Sequence, residues 1–158
     1  MKFNRTLAAA AVAASLALGS SAALAETKTL DINIEANVAV DGLLVQPVFG
    51  WDNNTQLMGW DHALEQLNPI NRQITVRNTT GAINARLGAP ARLTNGANAV
   101  DLVVKVNGVT LTTTAAPVVT AGDAATVRNV DFNVTATKPA TWVSGNYAGT
   151  VFLMFEGV

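Results

Sequence analysis

Leu30-Asp31-Ile32-Asn33-Ile34-Glu35-Ala36-Asn37-Val38-Ala39-Val40-Asp41 is the stretch whose reading decides the fold. Leu30, Ile32, Ile34, Ala36, Val38 and Val40 fall on every second position, and the positions between them are mostly Asp, Asn and Glu. Side chains of a strand point alternately to its two faces, so this pattern gives one apolar face and one polar face. It holds for twelve residues, about twice the length of a common strand. A slip of one residue would turn the polar set inward, so the register of such a strand is well specified.

The chain on either side continues the β pattern. Val, Thr, Asn, Ala and Gly are abundant while Lys and Glu are scarce, which favours strands over helices. Leu43–Phe49 is apolar but holds Pro47, which suits an edge strand or a strand end. Gln73–Asn78 sets Ile74 and Val76 on one face, and Ile83–Leu87 is a weaker candidate. Val100–Val106 and Val109–Thr113 flank Asn107-Gly108, the residue pair that a type I′ hairpin turn requires. Val130, Phe132, Val134 and Ala136 alternate again. Tyr147–Phe155 reads as a last strand, apolar on both faces, and Asp61–Leu67 reads as one helical turn or a loop. Short strands separated by turn signals predict an all-β sandwich. No internal repeat or linker divides it.

The beginning of the sequence predicts export. Lys2 and Arg5 precede an apolar run from Leu7 to Leu18, and Ala23-Leu24-Ala25 has the small-x-small pattern of a cleavage site. The run is shorter than the ~20 residues that span a bilayer. Residues 1–25 are therefore expected to be a cleaved signal peptide, with a mature chain from Glu26 long enough for one core. Without Lys2 and Arg5, eight basic residues face eleven acidic ones, a net charge near −3. No basic run remains, which argues against a nucleic-acid partner. Cysteine is absent, so stability must come from the core, from strand pairing or from assembly.

The residues offer little chemistry. His62 is the single histidine, no metal-ligand spacing accompanies it, and no G-x-S-x-G elbow or phosphate loop is present. No enzyme, cofactor or metal is expected. Asn78-Thr79-Thr80 and Asn133-Val134-Thr135 match a glycosylation triplet, which arises by chance in Asn/Thr-rich strands. Trp51, Trp60 and Trp142 either line a carbohydrate groove or cap and fill the sandwich, and the second reading is preferred. From the residues alone, the strand over 30–40 either completes its own sheet or serves another molecule.

Two segments carry a resemblance. Lys28-Thr29-Leu30-Asp31-Ile32-Asn33-Ile34-Glu35-Ala36, continuing to Asp41-Gly42-Leu43-Leu44, opens the mature part. Ser144-Gly145-Asn146-Tyr147-Ala148-Gly149-Thr150-Val151-Phe152-Leu153-Met154 closes it, and its G-N-Y-x-G-x-V portion is the most specific element. Together they resemble the major subunits of colonization-factor-antigen and coli-surface-antigen fimbriae, the alternate chaperone–usher class. The stretch from Phe49 to Ala97 departs from the family's pattern, so no receptor contact or antigenic loop is carried over.

The resemblance implies an incomplete immunoglobulin-like β-sandwich, residues 42–158, completed by an N-terminal donor strand within residues 26–41. Leu30, Ile32, Ile34, Ala36, Val38 and Val40 would be the donor side chains. Tyr147, Val151, Leu153 and Phe155, on the C-terminal strand, would line the acceptor groove of the neighbouring subunit. The implied partners are further copies of the chain, a periplasmic chaperone, an outer-membrane usher and a tip adhesin. The implied destination, reached through the periplasm, is a fimbria at the cell surface that supports adhesion. The alternative is a monomeric secreted β-sandwich that binds a glycan or protein ligand.

Overall fold

A computed structural model describes residues 42–158. The expected signal peptide and the alternating strand over 30–40 lie outside the described residues.

The described chain is built almost wholly of antiparallel strands. The larger sheet follows the order β1 (Leu43–Pro47), β4 (Ile70–Asn78), β10 (Arg128–Ala136), β7 (Asn98–Val106) and β6 (Arg92–Asn95), with β8 (Val109–Thr110) paired to β7. The smaller sheet follows β11 (Leu153–Gly157), β5 (Ile83–Leu87) and β9 (Ala116–Val119). β2 (Trp60–Asp61) and β3 (Gln66–Leu67) make a separate small hairpin. A short helix, α1 (Ala121–Ala124), leads from β9 toward β10.

Period-two alternation places the core. Ile74 and Val76 on β4, Val130, Phe132 and Val134 on β10, and Val104 and Val106 on β7 project from the larger sheet into one apolar cluster. Ile83, Ala85 and Leu87 on β5, with Val118 and Val119 on β9, complete it from the smaller sheet. β5, the weaker sequence candidate, is thus a central strand whose three inward residues are buried. Trp51 stacks on Phe132 with centroids 5.1 Å apart and ring planes 13° from parallel, and its Nε1 donates to Gln73 O at 2.8 Å.

The turns follow local chemistry. Asn107 and Gly108 both have positive φ, 49° and 78°, as the type I′ turn between β7 and β8 requires. Asn78 is buried and ties the β4–β5 turn: its Nδ2 donates to Ala82 O at 2.8 Å, and its Oδ1 accepts from Thr80 N at 3.2 Å and Thr80 Oγ1 at 2.8 Å. The first glycosylation-like triplet is therefore a turn clasp.

Two sequence expectations need correction. Asp61–Leu67 is neither a helical turn nor a plain loop, because its two ends pair as β2 and β3. Asp61 Oδ1 accepts from Ala63 N at 2.8 Å and Leu64 N at 3.0 Å, which imitates a helix N-cap, and Glu65 at φ 48° turns the chain back. The last strand starts at Leu153 rather than Tyr147. The stretch before it crosses to the other sheet, where Ala148 bridges to Thr94 of β6. Gly145 and Gly149 permit that crossing: a Cβ on Gly149 would strike the Arg92 carbonyl, and one on Gly145 the Asn95 side chain. β6, β9 and α1 have no counterpart in the sequence reading. β6 is a short run ending in Asn95, and β9 carries Pro117 on an edge strand.

Candidate assembly edge

Among the described residues, β11 is hydrogen-bonded to a strand on one edge only, to β5, from Leu153↔Leu87 to Gly157↔Ile83. β1 likewise ends the larger sheet and pairs only with β4. These two edge strands approach one another, one from each sheet, and no ladder joins them among the described residues. The flank between them is apolar. Leu43 and Val45 on β1, and Val151, Leu153 and Phe155 at and before β11, pack on the core while remaining partly exposed.

An apolar edge strand is costly to leave in water. Its outer N–H and C=O groups can pair with any extended chain, and proteins ordinarily shield such edges with charge, proline or a bulge. β1 has Pro47 at its end, opposite Ile74. β11 has a single charge, Glu156, whose Oε1 faces Arg86 Nε of β5 at 3.1 Å. The outward side chains Phe152 and Met154 are 60% and 43% exposed. The flank therefore presents one free row of backbone groups and alternate, partly exposed apolar side chains among the described residues.

The expected acceptor residues divide between two places. Val151, Leu153 and Phe155 line this flank. Tyr147 stands away from it, on the crossing that bridges to β6. Its hydroxyl donates to Val143 O at 3.0 Å, and its ring faces a cleft shared with Trp60 and Trp142. Leu43 and Val45 belong to the same flank as Phe155, a role the sequence reading does not give them. Their alternation with Leu44 and Gln46 is the signal that could have found them.

Among the described residues, no cluster of metal-ligating side chains competes with this edge. His62 is exposed in the β2–β3 turn, and no three His, Asp or Glu side chains among the described residues converge as metal ligands. Asp123 sits at the start of a local contact network. A hydrogen bond from the Thr120 hydroxyl, followed by the Arg128 guanidinium, holds its carboxyl below the usual 3.8. That contact serves α1 and the start of β10, far in sequence from β11.

Known proteins resemble this chain in sequence pattern and in fold. The model of the CS1 type fimbrial major subunit family matches residues 28–156. The sequence matches no curated protein. Among solved structures, the fold is similar to the CooA pilin subunit from enterotoxigenic Escherichia coli. The TM-score is 0.57 at 15% identity, over 71% of this chain and 86% of that one.

Proposed function

This chain belongs to the CS1 type fimbrial major subunits, a structural and non-enzymatic family, and we propose that its copies join by donor-strand complementation at the flank between β1 and β11. The protein is a major subunit of a cell-surface pilus, and such subunits polymerise. In the proposed joint, the strand carrying Leu30, Ile32, Ile34, Ala36, Val38 and Val40 leaves its own subunit and lies along β11 of the next. Its six alternating side chains meet Val151, Leu153 and Phe155 from one sheet and Leu43 and Val45 from the other. When a strand is added to a sheet edge, backbone pairing gives affinity and the alternate side-chain positions give specificity.

The observation that carries the reading is the unsatisfied edge of β11, apolar and partnered on one side only among the described residues. Residues 42–158 then form an incomplete immunoglobulin-like sandwich, residues 26–41 the donor segment, and residues 1–25 a signal peptide removed on export. A subunit with that flank open needs a periplasmic chaperone to cover it and an outer-membrane usher to exchange the cover for a donor. A tip adhesin would end the fibre. Tyr147 contributes indirectly, by holding the 144–149 crossing that delivers the chain into β11.

The test uses purified mature chain with and without Glu26–Val40, sized by chromatography and checked for resistance to SDS. Full chain is expected to give SDS-resistant multimers. Truncated chain is expected to remain unassembled and to gain thermal stability when a peptide spanning residues 28–41 is added. A full chain that stays monomeric after unfolding and refolding at high concentration, with no stability gained by the truncated form from the peptide, overturns the reading.

A further inference from the structure

We propose that the cleft between the β2–β3 hairpin, β6 and the 142–149 crossing is a binding site for a neutral saccharide. The cleft measures about 560 Å³ and opens on the surface. Trp60 and Trp142 form one wall, with ring centroids 5.1 Å apart and planes 83° to each other, and Tyr147 adds a third aromatic face. Trp60 is 39% exposed, so part of its ring is presented to a ligand.

Three features select the ligand class. The first is charge: no residue lining the cleft is ionisable at neutral pH. Charged side chains stand nearby without lining the cleft: Lys138 Nζ lies 4.0 Å from Glu65 Oε2 beside His62, and Arg72 Nε is held by Gln56 Oε1 at 2.8 Å. A charged ligand would find no counter-ion in the cleft.

The second is the state of the polar groups. The Trp142 indole N–H is already donated to Glu65 O at 3.0 Å, which fixes that ring. Gln56 is fully engaged, donating to Trp51 O and Asn54 O and accepting from Arg72 Nε. The side chains of Trp60, Ser144 and Asn146 have no hydrogen-bond partner among the described residues, and these three residues line the cleft and are exposed. They offer an indole donor, a hydroxyl, and an amide that both donates and accepts.

The third is the combination. An apolar segment from a second copy of the chain would cover these three groups without satisfying them, at a cost for each. A pyranose has a C–H face to lay on an indole and a rim of hydroxyls that donate and accept. Concave sites of this kind pair aromatic walls with a few convergent polar groups. One such cleft per subunit would also repeat along a polymer, so that a weak single site gains strength by multivalent contact.

The position of the cleft follows from Gly145 and Gly149. Those glycines bring the crossing against β6, and Ser144 and Asn146 beside them stay exposed. Sugar binding there does not depend on how the subunits are joined, since the cleft lies apart from the β1–β11 flank.

The experiment titrates assembled fibres of the full chain with lactose, cellobiose and N,N′-diacetylchitobiose, following tryptophan fluorescence, with glucuronic acid as the charged control. At least one neutral sugar is expected to give a saturable change that glucuronic acid does not. Trp60→Leu should weaken that binding about tenfold or more, and Asn146→Ala about three- to fivefold, while fibres still assemble. Asn146 is exposed, so its variant decides the matter even if Trp60→Leu assembles poorly. Failure of all three sugars to bind, or binding unchanged in Asn146→Ala and in assembled Trp60→Leu fibres, overturns the proposal. Sugar-blind fibres whose assembly is lost in Trp60→Leu overturn it too, and assign the cleft to a neighbouring copy instead.

Discussion

The centre of the larger sheet and the β11 edge obey the same sequence rule and end in different physical states. On β4, β10 and β7, the inward residues Ile74, Val76, Val130, Phe132, Val134, Val104 and Val106 are each at most 4% exposed. On β11, Leu153 and Phe155 point to the same core yet stay half-buried, while Met154 on the other face and Phe152 just before the strand are exposed. The difference is the number of neighbours. A central strand has a ladder on both sides and a sheet in front of it, whereas β11 has a ladder on one side among the described residues. Alternation tells which side chains turn inward. Burial depends on how many strands arrive to cover them.

The largest effect is expected from removing a side chain in the fully covered region. Phe132→Ala deletes a buried ring and the stacking partner of Trp51. It should destabilise the subunit by about 3–5 kcal/mol. Urea unfolding of subunit complemented with donor peptide measures this, and the loss should be equal whichever donor peptide is used. A loss that changed with the donor would mean that Phe132 belongs to the assembly edge.

Phe155→Ala should give the intermediate effect. Its ring is only partly covered by the described residues, so the uncomplemented subunit should lose about 1–2 kcal/mol, less than for a fully buried ring. The fibre should lose more, because a donor strand would complete the burial. Melting of isolated subunit and dissociation of fibres in hot SDS, compared for the same variant, read the two losses separately. Equal losses would show that the flank gains no cover on assembly.

Most of this is legible in the residues, and what is not has physical causes. β4, β7 with its Asn107-Gly108 turn, and β10 can be read because each alternates over four or more positions, and β1 because it is an apolar run ended by Pro47. β5 looks weak because Ala85 is small, yet that residue sits in the middle of the core. β6 and β9 are invisible: one is polar, the other carries Pro117, and both are strands only through their partners β7 and β5. Phe155, Leu153 and Val151 are legible as an apolar run. Tyr147 reads with them because a sequence shows continuity, while Gly145 and Gly149 bend the chain onto the opposite sheet. The physical content of the G-N-Y-x-G segment is close backbone approach at Gly145 and Gly149. Trp51 meets the expectation of a core-filling ring, whereas Trp60 and Trp142 share a surface cleft, which spacing along the chain could not reveal.

The smallest effect is expected at an exposed contact of α1. α1 carries the chain from β9 toward β10 and buries Ala124, and Thr120 caps it through Asp123 N at 3.3 Å. The Thr120 hydroxyl also donates to Asp123 Oδ2 at 2.8 Å, and Arg128 at the start of β10 pairs with the same carboxylate. Both contacts favour the ionised acid and hold its affinity for protons below the usual 3.8. A carboxylate depressed on folding adds stability at pH above its unfolded value, and that contribution is lost as pH falls through its folded value. The site is exposed and solvent-screened, so the gain is small. Asp123→Asn should therefore melt slightly below wild type at pH 7, and the two curves should converge as the solution is acidified below pH 3.8. Salt should narrow the gap at neutral pH, as for any exposed pair. A difference as large as that of Phe155→Ala would move the α1 crossing out of the class of surface contacts and into the set that holds the sheets together.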